Sequence, residues 1–190
     1  MTPPDLHSWA ADLTTLHDQV WTLLTRGVKD RRAAARHLTL ATASRDGKPQ
    51  ARTVVLRAAD RGHATLDVHT DIHSAKVAEL RATPFAALHV WDSSAHLQMR
   101  LNVEVAILTG SDVADVWARV PEVARLSYGS TPAPGQIVAN ALDYIKQPDQ
   151  AAFAVLRMTI SAMDIVHLGA NHRRARFERN DQWAGQWLAP

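Results

Sequence analysis

The side chains best equipped for chemistry in this sequence are cations and hydroxyls at short spacing. Arg52 and Arg57 bracket Thr53, Val54, Val55 and Leu56. His69, Thr70, Ser74 and Lys76 follow, Gln98 opens a later apolar stretch, and His172-Arg-Arg-Ala-Arg176 forms a basic run near the end. Arginine, lysine and hydroxyl groups gather around anions, and each charge-assisted hydrogen bond contributes roughly 1.5–3 kcal/mol. Ser74 and Lys76 stand at the start of a predicted helix, whose free N–H groups and positive dipole end favour a phosphate or carboxylate. The sequence has no cysteine, so disulfides, thiolate metal sites and a cysteine nucleophile are excluded. Its ten histidines show no His-x-x-x-His pair on a predicted helix and no ligand-spaced cluster, and no metal site is expected.

The elements that must carry these groups read mainly as strands. A helix is expected over residues 5–27, where Leu6, Trp9, Leu13, Leu16, Val20, Leu23 and Leu24 recur at steps of three and four, with Asp5 as its cap and Gly27 as its end. A basic link follows to Arg36. The period then changes to two, predicting strands over 37–44 and 49–57 joined by a hairpin turn at Asp46-Gly47, and a third over 64–70 after a turn around Gly62. A short helix runs from Ser74 to Ala82 and stops at Pro84. Phe85 to Trp91 is almost wholly apolar, which predicts a strand buried on both faces, and a long strand spans 97–109. Helix is expected from Ser111 or Asp112 to Val120, then a helix, a Gly/Pro loop and a second helix within 121–150. Strands over 153–160, 163–168 and 172–179 follow, and 183–188 closes the sheet. Seven or eight short strands in hairpins favour a barrel or a sandwich.

Alternation sorts the cations by face. His172, Arg174 and Arg176 point one way and Arg173, Ala175 and Phe177 the other, so the first three form a self-repelling row that an anion beside it would relieve. Arg52 and Arg57 are five residues apart, which puts them on opposite faces of a regular strand. They meet one ligand only if Arg57 lies beyond the strand or a bulge intervenes. The chain of 190 residues, 46% hydrophobic and 21% charged with a net charge of +2, reads as one globular domain. The near balance of charge, and the lack of aromatics within the basic run, argue against nucleic acid. No apolar stretch approaches the roughly 20 residues of a membrane helix, and the N-terminus lacks a basic start with an apolar run, so a cytoplasmic location is expected.

Several of these residues, in order, resemble the pyridoxamine 5'-phosphate oxidase family of FMN-binding split barrels. Arg52-Thr-Val-Val-Leu-Arg57 is similar to the family's first flavin-binding strand. His69-Thr70 followed by Ser74-Ala-Lys76 is similar to its strand-to-helix phosphate site, Gln98 to the glutamine it places across the dimer interface, His172-Arg-Arg-Ala-Arg-Phe177 to its late basic strand, and Trp187-Leu-Ala-Pro190 to its closing residues. The resemblance spans residues 37–190, with 1–36 as an N-terminal helix and link to a single domain. It implies a mainly β fold with flanking helices: a six-stranded antiparallel, Greek-key-like split barrel forming a homodimer with two FMN sites at its interface. Arg52, Thr53, Val54, Val55, Leu56, Arg57, His69, Thr70, Ser74, Lys76, Gln98 and Arg176 would then bind the cofactor, and His172 and Arg174 would face a small, anionic substrate.

The departures bear on the substrate. The family's three substrate-phosphate ligands on the helical segment fall, counting from Gln98, on Val116, Val120 and Ala124, which are apolar. The late arginine and histidine are exchanged at His172 and Arg174, Ala75 replaces a base, and Val166 stands where the family has a flavin-site tryptophan. The expectation is an FMN-dependent oxidoreductase whose substrate is not pyridoxamine phosphate, with a non-catalytic flavin-binding or storage protein, or a true pyridoxamine 5'-phosphate oxidase, as the alternatives.

Overall fold

A computed structural model describes residues 7–190. The predicted helix is broken at its start: a 3-10 turn at Ser8–Ala11 precedes helix α1 (Leu13–Lys29). Its N-cap is Asp12, whose carboxylate accepts from the Thr15 N–H at 2.9 Å. The expected cap Asp5 and core residue Leu6 lie outside the described residues. Gly27 does not end the helix. It lies inside it because a Cβ there would stand 2.7 Å from the Ala35 carbonyl carbon, so glycine permits the close approach of the returning chain.

Strands β1 (His37–Ala43), β2 (Pro49–Asp60) and β3 (Thr65–Asp71) follow as an antiparallel meander, then helix α2 (Ala75–Ala82) and strands β4 (Phe85–Asp92) and β5 (Leu97–Thr109). The β1–β2 turn has Gly47 at φ +79°, as the Asp-Gly pair requires. The strand over 85–91 is not buried on both faces: Phe85 is 60% and Trp91 43% exposed, and its outer side has no covering layer among the described residues.

Helices α3 (Ala114–Arg119) and α4 (Glu122–Arg125) come next, then a two-stranded ribbon of β6 (Ser130–Thr131) and β7 (Ile145–Lys146). The second helix expected before residue 150 is absent from the described residues. Its apolar positions Ile137, Leu142 and Ile145 are exposed, so no buried face supports a helix there. The two strands expected over 153–168 are one, β8 (Phe153–His167). Ser161 is the extra residue of a bulge opposite Asn102 and Val103, which lets the strand bend and continue. Strands β9 (Arg173–Glu178) and β10 (Gln186–Leu188) close the chain.

Six strands close in the order β8-β3-β2-β1-β4-β5, with β5 returning to β8, and β9 and β10 extend from the far half of β8. The first half of β8, Phe153 to Thr159, pairs with β3, and from Ala162 the same edge pairs with β9. The fold is therefore a closed antiparallel barrel that splits where β3 gives way to β9. Its core is built from inward positions such as Leu38, Leu40, Leu56, Leu88, Met99 and Met158, with α1 and α2 closing it through Leu16, Leu24, Val77 and Leu80. A second cluster of Val113, Val120, Tyr128, Phe153 and Val155 seats the α3–α4 segment on the outside of the barrel.

Gly27→Ala tests the contact that seats α1. The gain in helix propensity, about 1 kcal/mol, is outweighed by displacement of the Ala35 backbone, so a net loss of about 1–3 kcal/mol is expected. Urea unfolding monitored by circular dichroism measures it.

Candidate functional site

The site begins where two strands part. β3 pairs with β2 only from Leu56 to Asp60, and above Leu56 the ladder stops. Residues 49–55 of β2 remain paired with β1, and His69, Thr70 and Asp71 of β3 remain paired with β8. Two strand edges thus face one another across a slot, and their backbone N–H and C=O groups are free of each other. The predicted stretch Thr53 to Leu56 forms one lip, with Val54 and Leu56 turned into the core. His69 and Thr70 form the other.

The predicted phosphate ligands gather at the end of the slot. Ser74 caps α2, is buried, and donates to the Asp71 carbonyl at 2.7 Å, with its hydroxyl 3.2 Å from that of Thr70. Lys76 Nζ donates to Thr70 Oγ1 at 3.0 Å. Burial pulls the Lys76 pKa below its usual value and the nearby Arg52 pulls it further, while Asp71 and Glu79 oppose them. Arg52 reaches in from β2 and donates to the Thr42 hydroxyl and to Glu79 at 2.9 Å. Glu79 also accepts from Thr42 at 2.5 Å. A half-buried lysine and arginine, two hydroxyls and the N-terminus of an eight-residue helix therefore converge. This donor set fits a phosphate: a second negative group would offset the mutual repulsion that depresses Lys76. Sequence reasoning missed Glu79, although its place one helical turn beyond Lys76 was the available signal.

Arg57 does not join this set. The bulge that could have united the two arginines exists, between Leu56 and Ala58 on β2, yet Arg57 keeps the outward face. It lines a separate cavity with His69, Val116 and Val120. His69 faces the same cavity, its ring edge-on to Phe153 at 5.0 Å. Burial, with the Arg57 charge second, lowers the His69 pKa to about 4, against the opposing pull of Asp67.

The remaining predicted residues stand elsewhere. Gln98, Val166 and Arg174 lie in register across β5, β8 and β9, and so do Arg100, Asp164 and Arg176. Arg174 is bidentate to Asp164, at 3.1 and 2.8 Å, and Arg176 pairs with Glu178 at 2.7 Å. The repulsion expected within the basic row is thus relieved in part by the chain's own acids. His172 is exposed just before β9. In the barrel order, β5 is three strands from β2 in either direction, so Gln98 is on the wall opposite the Arg52 lip.

The sequence of residues 18–109 matches the family model described as pyridoxamine 5'-phosphate oxidase, FMN-binding domain. Over this segment, just under half of the chain, the sequence is similar to that family. FMN is the cofactor of the matched domain. Among curated relatives, the chain is 43% identical over 104 residues to a pyridoxine/pyridoxamine 5'-phosphate oxidase of Microcystis aeruginosa, covering 54% of this chain and 47% of the relative. It is 33% identical over 106 residues to that of Acinetobacter baumannii, covering 55% and 48%. The matched segment spans about half the length of these relatives. Among solved structures, a pyridoxamine 5'-phosphate oxidase-related, FMN-binding protein from Nostoc punctiforme superposes with a TM-score of 0.75 at 24% identity, over 91% of this chain and 96% of that one. PhzG from Burkholderia lata superposes with a TM-score of 0.72 at 21% identity, over 98% of each chain. These two show that the shared fold extends past the matched segment through β8 and β9.

His69 makes the site sensitive to acid. Its folded pKa lies below that of an unfolded chain, so the unfolded state takes up the proton first. The stability this confers is complete above about pH 6.5 and is lost as pH falls toward 4. Urea midpoints at pH 7.5 and pH 5 are expected to differ more for the wild type than for His69→Asn.

Proposed function

We propose that the protein is an FMN-dependent oxidoreductase acting on a small anionic molecule other than pyridoxamine 5'-phosphate. The observation that carries this reading is the slot between β2 and β3, with Arg52 on one lip and Thr70, Ser74 and Lys76 on the other. Ser74, Thr70, Lys76 and Arg52 would hold the phosphate. The free edge of Thr53 to Leu56 would offer N–H and C=O groups to the polar rim of the flavin ring, and the flanking apolar side chains would exclude water from it. When bound, FMN supplies a two-electron acceptor. The chain's own contribution is to bind, orient and provide charge, and no covalent nucleophile is required of it.

A homodimer would complete this site. Gln98 and Arg176 cannot meet a ligand held by Arg52 within one protomer, because they lie on the opposite wall. A second copy related by a two-fold axis would bring them, with His172 and Arg174, to the slot. Arg57 would serve the substrate side rather than the cofactor. Pyridoxamine phosphate is disfavoured because Val116, Val120 and Ala124, where the family would hold its phosphate, line a cavity wall with alkyl groups. A non-catalytic flavin-binding protein is the second reading, favoured by the bidentate Asp164, which already occupies Arg174.

Flavin absorbance and FMN titration test the cofactor site. The wild type is expected to bind FMN, and Arg52→Ala with Lys76→Ala to weaken it by about 2–5 kcal/mol. Wild-type protein that binds no FMN would refute the reading. For the flavin-loaded protein, turnover of pyridoxamine phosphate is expected to fall well below the usual enzymatic range of about 1–1,000 per second. Turnover within that range would identify a true pyridoxamine 5'-phosphate oxidase.

A further inference from the structure

Helix α1 and the turn after β9 meet at one buried ring. His17 is 8% exposed, on the inward face of α1. It lies 5.1 Å from the Phe177 ring of β9 and is stacked on Trp183 at 5.7 Å, with 22° between the planes. The Trp21 indole, one turn along α1 and also buried, donates to His17 Nε2 at 3.3 Å. An indole N–H can only donate, so Nε2 carries a lone pair and the imidazole is neutral, with its proton on Nδ1.

Trp183 anchors the turn to which it belongs. Residues 179–182 are exposed, while Trp183 is half-buried against the core. Gln182 and Trp183 have φ of +49° and +63°, a region that favours glycine, so side-chain contact rather than backbone preference holds them there. Gly185 comes so near Phe177 that a Cβ would stand 2.5 Å from its ring. Strand β10 follows directly. All three of its residues are exposed, and it pairs with β9 alone, opposite Arg174, Ala175 and Arg176. Neither β9 nor β10 belongs to the six strands that close the barrel, so this segment can leave without opening it.

Protonation of His17 opposes the contact in three ways. An imidazolium cannot accept from Trp21, whose buried N–H would lose its partner. It would hold a charge out of water. It would also face the like charge of Arg61, from the β2–β3 turn. Asp18, next along α1, acts the other way, but it is already paired with Arg61 at 2.5 Å. β9 and the turn present the rings of Phe177 and Trp183, whose attraction for a cation offsets part of these costs. Burial is the largest effect, and with Arg61 it holds the His17 pKa below its ordinary value. The contact is therefore complete above about pH 6.5 and is lost as pH falls through the lowered value.

We propose that His17 is an acid-sensitive latch, which when neutral holds the turn and β10 on α1 and when protonated releases residues 179–188 from an intact barrel. Release unpairs the edge of β9 that bears Arg174 and Arg176. The latch does not rest on the flavin reading.

Hydrogen exchange read by mass spectrometry, corrected for the pH dependence of the chemical step, tests it on the full chain at pH 7.5 and pH 5. The reporters are the amides of Gln182, Trp183 and Ala184, which donate to Arg179, Glu178 and Asp181, and those of β10. Protection over 179–188 is expected to fall about 3- to 30-fold at pH 5 in the wild type, the upper figure being set by an unfolded-state pKa near 6.5. Residues 97–109, which report opening of the whole barrel, should stay better protected at both pH values. His17→Gln keeps an acceptor for Trp21 and His17→Phe keeps a flat ring, and neither titrates, so the fall should vanish in both. In the wild type, an NMR titration of the His17 ring should share its midpoint with the fall, which keeps the test open where a variant folds poorly. A wild-type segment indifferent to pH, an equal fall in either variant, equal protection of 179–188 and 97–109 at pH 5, or a His17 midpoint at or above the ordinary histidine value would each overturn the proposal.

Discussion

The slot in which Arg52, Thr70, Ser74 and Lys76 converge depends on β2 and β3 parting above Leu56. A strand edge is a row of donors and acceptors that must find partners. Here the two edges cannot close on each other, because each strand is held from behind. β2 is locked to β1 over His37–Ala43, and β3 is locked to β8 over its whole length, with the Ile72 N–H continuing the pairing to the Ala152 carbonyl at 2.8 Å. The side chains of Val54, Leu56, Leu66 and Val68 fix the faces by burial. The slot is therefore a rigid feature of the barrel, set before any ligand arrives, which is the condition for cheap binding.

The charges at the end of the slot are arranged on the same principle. Taking Arg52 and Lys76 partly out of water costs free energy that Glu79, Thr42 and Thr70 only partly return. Glu79 holds the Arg52 guanidinium in place and, with Asp71, offsets the charges of Arg52 and Lys76 near the Ser74 cap. The cradle is thus ordered by carboxylates of its own, and the hydroxyls and the helix N-terminus supply the further donors for an anion. Removing Glu79 would raise the charge and loosen the geometry together, two effects of opposite sign on phosphate affinity.

Much of this was legible in the sequence. Period-two alternation placed β1, β2, β3 and β5, and the Arg, Thr, Ser and Lys motifs pointed to one phosphate site, where the structure brings Arg52, Thr70, Ser74 and Lys76 together. What failed were features set by tertiary contact. Gly27 read as a helix end because the approach of Ala35 is invisible locally. The break before Met163 read as two strands because a single bulged residue, Ser161, leaves a gap in the hydrophobic pattern like that of a turn. The second helix before residue 150 had apolar residues at suitable spacing but nothing to pack against. At the site, Asp164 was missed because an acid that pairs across strands leaves no spacing signature, whereas Glu79 had one in its place a turn beyond Lys76.

The separation of Arg52 from Arg57 has a further consequence. Side chains of a strand alternate, and five residues carry the second arginine to the other face. A bulge placed between the two could have cancelled that alternation. Here it falls at Arg57 itself and instead turns the strand's outer face toward His69 and the α3–α4 segment. One strand therefore carries Arg52 to the slot and Arg57 to the outer cavity, with the barrel wall and its buried Val54 and Leu56 between them. Such a wall keeps the two charges from competing for one ligand, and it makes the register of β2 a specificity element. A slip of one residue would exchange the faces, put an arginine into the core and empty both sites at once.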